Sequence, residues 1–340
     1  HTAYRRQRQM CIRDSNRERK MSDNLWALAR AFIITVVFMP FLIKFLKQSK
    51  EQAVIRKLGP DHQSKAGTPS MGGLLFVLAA AISAFIGGAA YHGMSGVVAM
   101  IIPVFALVAY AIIGGIDDAL KLINHADDGF AFKPKLLAQT LSAVVIMLIM
   151  WLLGVPFTLY IPMIGTINLG LFYFVFLWFW LVGWSNATNL TDGLDGLLAG
   201  NSVVVYAAYT VIAMHMHNHI IVLFNFSIIG GLLGFLIFNR PKAKIFMGDT
   251  GSLALGAGLA IESILLGVPF SLIWFGLIFV IETLSVIIQT VGYHFWHKRI
   301  FPMAPIHHSF EKFGWSEWQI DLLFWIVSSI LAVAGIFYMN

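Results

Sequence analysis

The chain is built around repeated runs of about 20 apolar residues, each long enough as a helix to cross the roughly 30 Å hydrocarbon core of a bilayer. In that core no water serves the backbone N–H and C=O groups, so a spanning segment of this kind must be helical. Of 340 residues, 58% are hydrophobic and 12% charged, with a mean hydropathy of +0.78. A soluble domain carries roughly 25% charged residues and could not cover this much apolar surface. The expected fold is therefore all-α: a polytopic integral membrane protein of ten transmembrane helices. They are placed near 25–46, 71–90, 97–116, 136–153, 169–186, 197–213, 220–238, 252–266, 270–297 and 319–338.

Residues 1–20 do not match the rest. They hold seven of the 23 basic residues and the single cysteine, Cys11, and contain no apolar run. They read as a non-native leader before a start at Met21, which leaves 21–340 as one transmembrane domain. One cysteine excludes an intrachain disulfide. The net charge of +6 does not imply nucleic acid as a partner, because its placement has another explanation. Segments 47–70, 117–135, 239–251 and 298–318 carry 5, 3, 3 and 3 Lys or Arg, whereas 91–96, 154–168, 214–218 and 267–269 carry none. The positive-inside rule makes the first set cytoplasmic, together with 187–196, and puts both native termini outside. Span 270–297 is longer than the core requires and holds Glu282 near its middle, so it must tilt, bend or protrude. Segment 154–168 alternates apolar and β-branched residues around Pro162 and Gly165, the pattern of a small external hairpin.

The acids lie in the cytoplasmic segments. Asp117, Asp118, Asp127, Asp128, Asp192, Asp195 and Asp249 account for seven of 17 acidic residues. Asp117 and Asp118 end an apolar helix in IIGGIDDALK. Adjacent carboxylates there either reach into water or share a divalent cation, and Mg²⁺ suits hard oxygen donors. In NATNLTDGLDGLLAG, the residues Asn186, Asn189, Asp192 and Asp195 recur every third position, which would align them on one face of a helical turn. FNRPKAKIFMGDTGSLALG opens a helix whose amides suit an anion while Asp249 meets a metal; the plainer reading is an N-cap. In RIFPMAPIHHSFEKFGWSE, His307 and His308 could meet phosphate or metal. DHQSKAGTPSMGG offers Lys65 and Ser70. FKPK offers Lys133 and Lys135, which also read as ordinary positive-inside anchors. His215, His217 and His219 read as interfacial. Acids for a metal, cations for phosphate and a lipid boundary together suit phosphoryl transfer to a lipid phosphate.

Taken in order, GTPSMGG, GGIDDALK, NATNLTDGLDGL, FMGDTGSLALG and MAPIHHSFE resemble the signatures of the phospho-N-acetylmuramoyl-pentapeptide-transferase family. That family is a branch of the polyprenyl-phosphate N-acetylhexosamine-1-phosphate transferases, and the resemblance covers 21–340. It implies Mg²⁺-dependent transfer of phospho-N-acetylmuramoyl-pentapeptide from its UDP-activated form to undecaprenyl phosphate. The products would be lipid I and UMP, and the setting a homodimer in the bacterial plasma membrane with its cleft facing the cytoplasm. It implies catalytic roles for Asp117, Asp118, Asp249, His307 and His308, with Asp249 on the metal and Asp117 handling the lipid phosphate. It implies substrate contacts at Lys65, Ser70, Lys133, Asn189, Asp192, Asp195, Asn239 and Phe246, with Phe246 stacking on uracil. Ser309 stands where the resemblance implies a third histidine. Span 270–297 looks like the family's broken ninth helix beside a lipid groove. Competing readings are a sister transferase that uses UDP-N-acetylglucosamine, and a transporter, whose polar residues should lie near the bilayer midplane, whereas most here lie at cytoplasmic ends, with Glu262 and Glu282 the exceptions.

Overall fold

A computed structural model of the protein describes residues 2–48, 67–124 and 130–339, with the backbone alone for 2–21, Asn124 and Met339. Lys65, Asp127 and Asp128 lie outside the described residues. The helices are α1 (Thr2–Gln48), α2 (Gly73–His92), α3 (Met94–Asn124), α4 (Phe132–Leu152), α5 (Tyr173–Thr191), α6 (Leu197–His215), α7 (His219–Asn239) and α8 (Gly248–Leu265). There follow α9 (Ser271–Phe275), α10 (Leu277–Trp296), α11 (His307–Lys312) and α12 (Glu317–Met339). Among the described residues, nine helices are long and apolar enough to cross a membrane. The chain is an all-α polytopic membrane protein.

The tenth expected span is α8, and its position explains why it is the least apolar. It packs against α2, α3, α5, α6 and α9. Every residue from Thr250 to Ile264 is buried. A helix that meets protein on all sides gains nothing from apolar bulk and can carry the glycines, serines and Glu262 that close helix packing favours. Its contact with α3 leaves no room for a side chain at Gly114, where a Cβ would lie 2.0 Å from the Asp249 carbonyl oxygen.

The long span expected over 270–297 is two helices. α9 stops at Gly276, and α10 begins one residue later. Gly276 lies so close to Trp184 that a Cβ there would sit 2.7 Å from the indole ring, and the break is located at this glycine. The expected hairpin is present, with β1 (Thr158–Ile161) antiparallel to β2 (Gly165–Asn168) and Thr158 opposite Asn168. It lies at the end of α5 opposite Thr191. Two boundaries differ from expectation in ways that matter for the site. α3 runs on to Asn124, so Asp117 and Asp118 lie within a helix and not in a loop. α5 ends at Thr191, so Asn186, Asn189, Asp192 and Asp195 do not share one helical face; the two acids fall in the turn that follows.

Candidate active site

The C-terminal part of α3, the start of α4, the end of α5 and the first turn of α8 meet at one end of the bundle. Carboxylate oxygens of Asp117, Asp118 and Asp249 there lie within 4.8 Å of one another, the only group of three potential metal ligands among the described residues. Asp117 and Asp118 are buried, whereas the Asp249 side chain is 15% exposed.

Each acid has a different environment. Asp118 is committed to the helix beside it: its Oδ1 accepts from Asp249 N at 3.0 Å, and its Oδ2 from Thr250 N at 2.9 Å and Thr250 Oγ1 at 2.6 Å. The first amides of α8 have no intrahelical acceptor, and no side chain from its own N-terminus caps them. Asp118 does so from α3. The N-cap reading of MGDTGS thus applies to the position but not to the residue. Asp117 accepts from Phe130 N at 2.9 Å and pairs with Lys121, one helical turn on. Asp249 is held from three helices. Lys121 Nζ lies 3.2 Å from its Oδ2, Lys135 Nζ donates to Oδ2 at 2.9 Å, and Asn189 Nδ2 donates to Oδ1 at 2.9 Å.

The neighbouring turn completes the rim. Asp192 is half-buried beside Gly248. Burial, and then the charges of Asp249, Asp118 and Asp195, push its carboxyl well above the ordinary range, against a hydrogen bond from Gly248 N. Gly248 has φ +75°, and a Cβ there would lie 2.5 Å from Asp118 Oδ2 and 2.8 Å from Ser70 Oγ, so only glycine fits between them. Ser70 reaches this point because its segment pairs with the 246–247 backbone: Phe246 N donates to Pro69 O at 2.8 Å and Gly72 N to Phe246 O at 2.8 Å. The Phe246 side chain is half-buried.

Several expected contact residues are buried on backbone partners or turned away from the cluster. Asn239 is buried, accepting from Gly196 N at 3.1 Å and donating to Ile245 O at 3.0 Å, so it ties two loops together and does not line the cleft. Asp195 is also buried, and it accepts from Ala243 N at 2.9 Å. Lys133 is exposed, and the α4 lysine that enters the cluster is Lys135. His307 has no exposed side-chain surface, whereas the adjacent His308 side chain is 17% exposed and contacts Glu311 at 2.5 Å. Adjacent residues on a helix point about 100° apart, which lets one ring be enclosed while the next reaches the surface. Lys121 was not picked out from the sequence. Its signal was available, because it stands four residues after Asp117 on a continuous helix face.

A buried carboxylate cluster braced by lysines at the end of a membrane helix bundle is a donor set suited to phosphoryl transfer at a lipid boundary. The family model described as Glycosyl transferase family 4 matches residues 100–267, which include all three acids, and phospho-N-acetylmuramoyl-pentapeptide-transferase signature 1 matches residues 65–77. A phospho-N-acetylmuramoyl-pentapeptide-transferase of Leuconostoc mesenteroides is 76% identical over 320 residues, 94% of this chain and 100% of the relative. Proteins of the same name from Lactobacillus helveticus and Levilactobacillus brevis are 48% and 46% identical, over 91% and 93% of this chain and 96% and 98% of theirs. The chain belongs to the phospho-N-acetylmuramoyl-pentapeptide-transferase family.

Proposed function

We propose that this protein transfers phospho-N-acetylmuramoyl-pentapeptide from UDP to undecaprenyl phosphate, giving lipid I and UMP. The setting is the bacterial plasma membrane, with the cluster at the cytoplasmic face and the working unit a homodimer, as the family resemblance implies. The observation that carries the reading is the convergence of Asp117, Asp118 and Asp249 with Lys121 and Lys135 at one end of a membrane bundle.

The donor set fits Mg²⁺. Carboxylate oxygens are hard ligands, and three of them converge within 4.8 Å. Asp249 would hold the ion, since Asp118 is occupied with the α8 amides and Asp117 is kept for the lipid phosphate. When bound, Mg²⁺ supplies charge neutralisation to the donor diphosphate and the leaving UMP.

The chain's own residues supply the rest. Asp117 accepts the proton of the lipid phosphate, if one is present, and so frees an anionic oxygen. That oxygen forms a bond to the β-phosphorus of the donor as the bond from phosphorus to the bridging oxygen breaks, and the electron pair leaves on UMP. Direct attack suits a phosphate monoester, which is already an anionic nucleophile. Lys121 and Lys135 offset the phosphate charge that gathers beside Asp249. Ser70, Asn189, Asp192 and half-buried Phe246 line the donor side, and Phe246 stacks on the base, as the family resemblance implies. His308 is the histidine that faces the donor. Asp195, Asn239 and His307 act from behind, by fixing the loops.

The test is purified protein in lipid with Mg²⁺ and undecaprenyl phosphate, offered UDP-N-acetylmuramoyl-pentapeptide or UDP-N-acetylglucosamine. UMP release with the first donor and little with the second supports the reading. The reverse preference would make it the sister transferase, and UMP release with neither would favour transport.

A further inference from the structure

Behind the site lies a second, smaller hydrophobic core, distinct from the main one. Leu194 and Leu197 from the turn after Asp192, Ile278 from α10 and Ile320 and Phe324 from α12 form it, with Ile306 and Phe310 packed around them. Beside this core sit two ionisable groups with no exposed surface. His307 Nδ1 lies 3.1 Å from Glu282 Oε2, one helical turn beyond Ile278. The other edge of the imidazole abuts the acid-bearing turn, where a Cβ on Gly193 would lie 2.1 Å from His307 Nε2. A buried carboxylate is costly without a partner, and the imidazole is the one cation-forming group at this contact.

We infer that Glu282 and His307 form a positioning strut that seats the Asp192–Asp195 turn against the broken helix α10, and that His307 acts through this turn and not by touching substrate. The strut has a direction: Nδ1 faces α10, the ring spans the gap, and Nε2 meets a backbone position that must be glycine. The turn carries Asp192 at the rim and Asp195, which in turn holds the 240–247 loop through Ala243 N. The donor side therefore depends on a contact made from α10. This inference rests on the proposed reading that Asp192 faces the donor.

The two ring nitrogens can be separated by substitution. Asparagine at 307 keeps a polar atom near Nδ1 and removes the far edge of the ring, whereas glutamine places its amide near Nε2 and cannot reproduce the Glu282 contact. The strut predicts that His307→Asn stays within about threefold of wild type, while His307→Gln and Glu282→Ala raise the KM for the UDP-linked donor by about thirtyfold. In both cases kcat and the KM for the lipid phosphate should move less. Gly193→Ala should raise the donor KM by about tenfold or more through overpacking, and adding His307→Asn should restore it, since the clashing edge is gone. Melting temperatures of the same variants give a readout independent of turnover: Gly193→Ala lowers Tm, and the double variant recovers it. If wild-type protein shows no turnover, the proposed reading fails while the Tm rescue still tests the strut. An active His307→Gln beside a dead His307→Asn, a loss confined to kcat, or no rescue of Gly193→Ala in either readout would overturn the inference.

Discussion

Replacing Asp118 separates a residue that builds the site from one that performs its chemistry. Its carboxylate accepts three hydrogen bonds from the first turn of α8, two from amides and one from the Thr250 hydroxyl. Hydrogen bonds to a charged acceptor contribute about 1.5–3 kcal/mol each, and replacing an N-cap by alanine costs about 0.5–2 kcal/mol. Asp118→Ala strips both amides of their acceptor at a buried position, so a destabilisation of about 4 kcal/mol is expected. Asp118→Asn keeps one acceptor oxygen but turns an NH₂ toward the remaining donors, which costs about 2 kcal/mol. At roughly 2 °C per kcal/mol for a chain of this size, Tm should fall by about 8 °C and 4 °C in the two variants. Unfolding followed by the fluorescence of the ten tryptophans would measure this. Turnover should fall in the same order, because Asp249 sits on the turn that loosens. An Asp118→Ala protein that melts with the wild type but is inactive would refute the capping argument and return Asp118 to direct chemistry.

Three further outcomes follow from the geometry. Lys135→Met should lower turnover by more than about thirtyfold, since it removes a donor from Asp249 at 2.9 Å, whereas exposed Lys133→Met should stay within about threefold; steady-state UMP release decides it. Asp192→Asn should raise Tm in metal-free buffer at neutral pH. The folded state holds that carboxyl above its ordinary range, so its charged form costs stability as pH rises, and the gain should vanish below about pH 4, where the carboxyl is protonated in both states; unfolding measured across pH checks this. In a Cys11→Ser background, a cysteine at Met163 on the fully exposed hairpin tip should react with an impermeant maleimide from outside intact cells, and one at Lys133 only after lysis.

The helices could be read from the sequence because lipid imposes a simple requirement on them, and the one that met it least, α8, is the one that touches protein on all sides. The acids could be located as well, since ionised groups at the end of an apolar run need a cause. The division of labour among them could not be read. Which of two adjacent histidines faces the cleft depends on how α11 is rotated, and that is set by Glu282 from another helix and by Gly193 from another loop. Lys133 and Lys135 read alike in the sequence, as candidate cations or as anchors, and only the distant partner Asp249 separates them. Asp195 and Asn239 carry the same functional groups as residues that line clefts, and only their burial and backbone partners assign them to loop fixation. Lys121 is the residue the sequence could have yielded: a span ended at 116 stops eight residues short of α3's end at Asn124, and its i, i+4 pairing with Asp117 does not register.

The most direct measurement is Mg²⁺-dependent UMP release by an Asp249→Ala variant whose folding is verified by its melting curve. Metal-assisted charge neutralisation contributes several kcal/mol, so a loss of about a thousandfold is expected, with the bundle intact. Turnover near the wild-type rate, with the same Mg²⁺ requirement, would show that the three converging carboxylates are not where the phosphates react.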